Sequence, residues 1–512
     1  MLARSVFLIS KNAKICRTAS IFGHIRSYTK QVTHNDLTDI TPYLITEHHE
    51  NPNIQRLVDS YNTYTQTMSS SVASSIANHS IKEIFPNTDV NMNSLNVIGF
   101  DYDFTLVHYT EDIQYYIYRT ARDYLIDHMR YPEIFRKSDY DPSFAIRGLI
   151  FDSKRGFLLK LNYLNNISKD NCYKGKTLVP NDDVITIYNG SRHLPQFYID
   201  KYCHPMLDLF SLSKACLISD LIQFMLDHKY TYEPTMIFQD CVKAIDYVHN
   251  SGLLSQEVLS DLPRYIEPNT NLRELFTEFK NDERELFLLT NNSYEYVNPG
   301  MNYLIGDDWK KFFDVTICHA RKPAWFVENR PFRLLNQSTG VWNWDATNNI
   351  KRGDVVSFGW GKGDKKVLYF GDSLYSDLIE PSRSHGWTTG AIIKELEDEI
   401  EVENKPGYNK LVVVIIESKS VSIRRRLSRL INPYFGSMFR SENNPSMFAF
   451  RLMRYVDLYT TQLDNFKDVP LKYKYYPPRM SLPHEPFGSD LQYPIRLGME
   501  CISNNNNNKT NN

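Results

Sequence analysis

Asn96-Val97-Ile98-Gly99-Phe100 runs straight into Asp101-Tyr102-Asp103-Phe104-Thr105. A short apolar run of that length reads as a buried strand, and this one stops abruptly on carboxylates. The same event recurs downstream. Leu286–Leu289 ends in Thr290-Asn291-Asn292-Ser293, and Val367–Phe370 ends in Gly371-Asp372, with Asp377 following. A further run, Phe313–Cys318, leads into His319-Ala320-Arg321-Lys322-Pro323. Helical periodicity between the runs makes an alternating β/α pattern, which predicts an α/β fold with a mostly parallel sheet. Such sheets hold ligands just beyond the carboxyl ends of their strands, so these polar ends are expected to converge.

Taken singly, each end is ordinary. Aspartates stabilise bends, Thr-Asn-Asn-Ser caps helices, and Gly-Asp is a common turn. In this order, with Lys322 between the second and third, they point to phosphoryl transfer. A phosphate monoester repels nucleophiles until its charge is neutralised. Mg²⁺ prefers oxygen ligands, and the carboxylates of Asp101 and Asp372 with the backbone carbonyl of Asp103 are the expected set. Asp101 is the candidate nucleophile, attacking phosphorus to form an aspartyl-phosphate. Asp103 is the candidate acid and base, protonating the leaving oxygen and then activating water. The Thr290 hydroxyl and the Asn291 amide are expected on the phosphate oxygens, and Lys322 on the transferring charge. Asp377 is expected to orient metal waters or Lys322.

The order of these motifs resembles that of the haloacid dehalogenase-like phosphohydrolases. More closely, it is similar to the cytosolic purine 5′-nucleotidases and the related 5′-nucleotidase domain-containing proteins, some of them mitochondrial. The resemblance rests on residues 98–106 around the Asp-Tyr-Asp motif, Arg147-Gly-Leu-Ile-Phe-Asp152, Ala320-Arg-Lys-Pro323, residues 368–378 around Gly371-Asp372, His385-Gly-Trp-Thr-Thr-Gly390, Phe435-Gly-Ser-Met-Phe-Arg440 and Arg454-Tyr-Val-Asp-Leu-Tyr459. It covers roughly residues 50 to 490. It implies a doubly wound core with an α+β cap inserted between the first and second motifs. The helix Phe238–His249 would then read the substrate, with Asp246 and His249 at matching positions. Val242 and Ser255 depart from the pattern, standing where the purine enzymes have arginine and lysine. A valine cannot replace the forked, charged bonds of arginine. The expected activity is therefore that of a Mg²⁺-dependent phosphomonoester hydrolase acting on a nucleoside monophosphate with altered purine recognition. The alternative is a weak or inactive binding or scaffold protein on the same fold.

The rest of the chain bounds the reading. Its 512 residues suit two or three domains. Net charge is −2, which gives no broad footprint for nucleic acid, and no apolar run reaches spanning length. Seven scattered cysteines read as reduced thiols. Residues 1–28 are basic, serine-containing and free of acid, the pattern of a mitochondrial transit peptide, so a matrix location is expected. The predicted division continues with a helical segment at 29–93, the catalytic core at 94–134 and 266–400, the cap at 135–265, a mainly helical extension at 401–490 and a disordered Asn-rich tail at 491–512. The aromatic residues of the extension, Phe448, Phe450 and Tyr455, leave packing and a homo-oligomer contact both open.

Overall fold

The computed structural model describes residues 79–328, 330–337, 339–345, 349–358, 366–405 and 427–478. The leader, the apolar run Leu411–Ile416, the Gly-rich 359–363 stretch, the basic 424–426 run and the Asn-rich tail lie outside the described residues.

The motif strands sit side by side in a ten-stranded sheet. Val97–Phe100 is flanked in parallel by Val367–Gly371 on one side and by Glu285–Leu289 on the other. Beyond Glu285–Leu289 come Val315–Cys318 and then Asp354–Phe358, also parallel. Beyond Val367–Gly371 come Thr388–Ile392 and Leu458–Thr460. Antiparallel strands close both edges. The chain thus winds outward from Val97–Phe100 in one direction and later in the other, leaving a topological switch beside that strand. In open α/β sheets this is where ligands bind. Gly99 lets Phe287 of the neighbouring strand lie against the backbone, since a Cβ there would fall 2.1 Å from the ring. On the same strand Phe100 is fully buried and stacks on Phe370 and against Phe276, with ring centroids 5.8 and 5.3 Å away. Aromatic packing of this kind anchors the sheet centre and with it the first carboxylate.

The segment between Phe100 and Glu285 leaves the sheet at that switch and returns with helix Leu272–Asn281, whose Phe276 packs on Phe100. It contains a five-stranded antiparallel sheet, built around Leu149–Asp152 and Phe157–Leu161, and the helices Asp112–Asp127, Ser211–Asp227 and Pro234–Asn250. Helix Asp112–Asp127 falls in the interval expected to be core, yet it packs against the other two helices. Its buried face, Ile113, Ile117, Ala121 and Leu125, has the i, i+4 spacing that serves a helical neighbour as well as a sheet, so periodicity alone does not reveal the partner.

Two further boundaries differ from expectation. The described part of the 29–93 segment, residues 79–93, holds two short strands, Phe85–Pro86 and Val90–Asn91, and the start of one 3-10 turn, Met92–Ser94. The described residues of the 401–490 region are mixed, helix and strand together. After helix Met447–Tyr455 the chain turns extended at Val456, and Leu458–Thr460 joins the core sheet. Lys474–Tyr475 then pairs with Val90–Asn91. The aromatic tail therefore completes the core. The five cysteines among the described residues are free and buried, and no described helix is long and apolar enough to cross a membrane.

The C-terminal segment is clamped to the cap sheet by two buried charges. Lys160 donates to the carbonyls of Phe435 and Ser437 at 2.7 and 2.6 Å, and burial lowers its pKa to about 7. Glu399, on helix Leu396–Glu403, accepts from the Ser437 hydroxyl, and burial raises its pKa to about 7. A carboxyl whose folded pKa is raised favours the fold fully below its unfolded pKa, and that benefit is lost as pH rises through the folded value. Lys160 acts the other way and only above pH 7, so of these two groups only Glu399 moves between about pH 4.5 and 7. Glu399→Gln should abolish a fall in stability of up to about 3 kcal/mol across that window. Urea unfolding of wild type and variant at pH 5 and 7 measures it, and an equal fall in both would show that Glu399 does not titrate there.

Candidate active site

All four strand ends meet. Asp101 follows Phe100 and is 6% exposed; its backbone N–H donates to the Phe370 carbonyl at 2.8 Å, which fixes it between two motif strands. Lys322 Nζ lies 2.5 Å from Asp101 Oδ1 and 2.7 Å from Asp377 Oδ1, and it donates to the Tyr369 hydroxyl at 3.2 Å. That hydroxyl in turn donates to the Leu289 carbonyl. Asp372 stands at the end of the adjacent strand. Asp377 is completely buried, and its second oxygen accepts from the Ser373 N–H. The approach of Asp377 requires glycine at 371, where a Cβ would lie 2.4 Å from that of Asp377.

Asp101, Asp372 and Asp377 each offer one oxygen within 4.8 Å of the others. Burial raises the pKa of Asp101, repulsion from Asp377 adds to the rise, and Lys322 opposes it. Asp372 is raised well above the usual range by burial and Asp377, against the pull of Arg147. Burial works against the Lys322 ammonium, but Asp101 and Asp377 outweigh it and hold the group charged. Two cations thus face three crowded carboxylates, Lys322 on Asp101 and Asp377 and Arg147 3.6 Å from Asp372. An all-oxygen, net-negative, buried donor set fits a hard divalent cation such as Mg²⁺. The expected ligands Asp101 and Asp372 are in this cluster. Asp377, expected behind the metal ligands, stands in the cluster itself.

Asp103 faces a different environment. Its Oδ1 accepts from the Tyr109 hydroxyl and its Oδ2 from Asn292 Nδ2, both at 2.7 Å, and Tyr109 is 2.9 Å from the Tyr296 hydroxyl. Burial raises its pKa, and the two hydrogen bonds oppose that rise. Two carboxylates from one tripeptide are therefore set apart: Asp101 on the ammonium, Asp103 on neutral donors.

Thr290 is fully buried and its Oγ1 accepts from the Asn292 N–H at 3.1 Å. The Asn291 side chain is engaged with the lysine loop. Its Oδ1 accepts from the Lys322 N–H at 2.6 Å and its Nδ2 donates to the Lys322 carbonyl at 3.3 Å. The side-chain amide therefore clamps the lysine loop, because its acceptor and donor meet the N–H and C=O of one residue together. His249 is on the cap helix, half-buried, with its ring edge-on to Phe210 at 5.3 Å; Phe210 meets Phe104 at 4.9 Å. Asp246, on the same helix, is exposed.

Residues that motif reading does not assign complete the site. Arg147 is buried, donates to the Asp372 carbonyl at 2.7 Å, and grips Glu395 through Nε and Nη2 at 2.9 and 2.6 Å. It ties the start of the cap sheet to the Gly371-Asp372 strand end. Tyr109, Asn292 and Tyr296 hold Asp103. Asn292 is visible within Thr-Asn-Asn-Ser, whereas Tyr109 and Tyr296 are distant in sequence and carry no spacing signal.

An α/β core with acidic and basic strand ends gathered at its switch point, beside an inserted α+β unit, defines a doubly wound α/β protein with its site at the carboxyl ends of the strands. The profile described as 5′ nucleotidase family matches residues 84–420 and 412–487. A 5′-nucleotidase domain-containing protein of Dictyostelium discoideum is 38% identical over 443 residues, covering 79% of this chain and 75% of its own. The human 5′-nucleotidase domain-containing protein 2 is 33% identical over 443 residues, covering 78% and 85%. Its rat counterpart is 33% identical over 443 residues, covering 78% and 80%. The chain belongs to the 5′ nucleotidase family.

Proposed function

We propose that the protein is a Mg²⁺-dependent phosphomonoester hydrolase of the 5′-nucleotidase type, working through an aspartyl-phosphate. The observation that carries this reading is the separation of the two carboxylates of Asp101-Tyr102-Asp103: one lies on Lys322 inside an acidic triad, the other on neutral hydrogen-bond donors. Environments that push two carboxyls apart divide nucleophile from acid.

Asp101, Asp372 and Asp377, with the Asp103 carbonyl, would hold Mg²⁺. When bound, the ion neutralises phosphate charge and orients the ester. Asp101 attacks phosphorus while Lys322 balances the charge on the transferring oxygens. Asp103 delivers a proton to the leaving oxygen, which its raised pKa favours. The Tyr109–Tyr296 pair suits this proton transfer, because the Tyr109 hydroxyl donates to ionised Asp103 and can turn to Tyr296 when Asp103 carries the proton. Ionised Asp103 then takes a proton from the water that hydrolyses the aspartyl-phosphate. Thr290 keeps its hydroxyl proton available for a phosphate oxygen, since it accepts from Asn292. The substrate in this proposal is a nucleoside monophosphate, and the basic, acid-free residues 1–28 direct the protein to the mitochondrial matrix. A reporter fused to residues 1–28 that stayed in the cytosol would remove that last element.

The test is phosphate release from a panel of nucleoside monophosphates and small phosphomonoesters, with Mg²⁺ and after chelation. Turnover is expected with Mg²⁺, a drop of at least about 100-fold on chelation, and the same loss in Asp101→Asn. Silence across the panel from folded protein would favour the scaffold reading.

A further inference from the structure

The cap helix Pro234–Asn250 presents Phe238, Val242 and His249 along one stripe, at i, i+4 and i+11. The stripe ends near the catalytic loop: His249 meets Phe210, and Phe210 meets Phe104, the residue after Asp103, and Tyr109, which holds Asp103. At the other end His204 stacks on Phe238 with ring centroids 4.0 Å apart. Val242, between them, contributes no charge.

The helix that faces this stripe does. Asp208 caps it, accepting from the N–H and hydroxyl of Ser211 at 2.8 and 2.9 Å. Phe210 continues with helical backbone angles, and Lys214 lies one turn further on the same side. The charge of Lys214 is felt at both ends of the stripe: it is the largest charge acting on His204, and at His249 it follows those of Asp208 and Asp246. Among the described residues no carboxylate lies within ion-pair distance of Lys214, although the helix is otherwise tightly engaged: Ser213 bonds to Gln114, and Asp220 to Tyr118 and Lys176. A half-buried ammonium without a partner, beside an aromatic wall that reaches the general acid, is suited to a ligand acceptor.

We infer that Lys214 is the specificity-determining cation of the cap, contacting the leaving-group side of a nucleoside monophosphate above Phe210 and His249. This deepens the hydrolase reading and rests on it for the identity of the reaction. A single mobile ammonium donates to acceptors without the planar fork of arginine, so it would recognise a base or ribose acceptor with little discrimination between purines.

Lys214→Met should raise KM for adenosine monophosphate roughly 10–100-fold, the value of one charge-assisted hydrogen bond, with kcat changed far less. Lys214→Arg should recover most of the loss, and 4-nitrophenyl phosphate, which has no ribose, should suffer less than the nucleotide. Lys243→Met, at an exposed position on the same cap, controls for general loss of charge. An equal effect on both substrates, or none on either, would overturn the assignment. Should the wild-type protein hydrolyse nothing, the hydrolase reading fails separately. Lys214 is then judged by calorimetric binding of adenosine monophosphate with Mg²⁺ to the Asp101→Asn protein. Weaker binding on adding Lys214→Met supports the role; no binding, or equal binding, overturns it.

Discussion

Replacing Lys322 with methionine is expected to destabilise the fold by about 3–5 kcal/mol at neutral pH, in addition to abolishing turnover. The ammonium is buried between Asp101 and Asp377, at 2.5 and 2.7 Å, and removing it leaves both as uncompensated buried carboxylates. A methionine fills much of the volume, so packing is a minor part of the loss. The sign with pH follows from the raised pKa of Asp101, whose burial favours the neutral form. Ionisation of such a group works against the fold, so the penalty of Lys322→Met should be larger at pH 8 than at pH 5. Adding Asp377→Asn should recover part of the loss, because the pair interacts directly and their effects are not additive. Urea unfolding of the two single variants and the double variant measures this coupling. Additive losses with no pH dependence would mean that the lysine acts through packing and that its charge is stabilised elsewhere.

How far the site can be read from the sequence depends on the range of the signal. Asp101 follows its apolar run directly, Asp372 one residue further on and Lys322 after a three-residue turn, so period and turn chemistry place them just past the ends of parallel strands, and the structure brings those ends together. Local sequence does not specify which way an amide turns. Asn291 follows Thr290 at a strand end, yet its side chain lies along the peptide of Lys322. Nor does it specify contacts between distant segments: Tyr296 reaches Asp103 through Tyr109 across 187 positions, and Arg147 reaches Glu395 across 248. The same limit explains the boundaries. Helix Asp112–Asp127 has an apolar face that would pack equally well on a sheet, and Leu458–Thr460 is too short to be read as a core strand until its neighbour Thr388–Ile392 is known. Local patterning defines an element and its buried face; the partner is decided by tertiary packing.

The Asp103→Asn variant separates the two chemical roles most sharply. With a nucleoside monophosphate the leaving group is an alkoxide that must be protonated, so turnover should fall by about 10²–10⁴-fold. With 4-nitrophenyl phosphate the leaving oxygen departs without a proton, and the attack by Asp101 should proceed. The second step still needs a base for water, and Asp103→Asn removes it. The expected record is therefore a burst of nitrophenol, close to one equivalent per protein, followed by slow release. The nucleotide should give no burst, because it stalls before the aspartyl-phosphate forms. An asparagine at this position keeps an oxygen for Tyr109 but presents its amide towards Asn292 Nδ2, now 2.7 Å from a carboxylate oxygen, so two donors meet there and a loss of about 1–3 kcal/mol in stability is expected as well. Unfolding curves taken at the assay temperature separate that loss from the chemistry. Equal, burst-free losses on both substrates would show that Asp103 supports the attack itself, and the assignment of acid and base would pass to another group of the site.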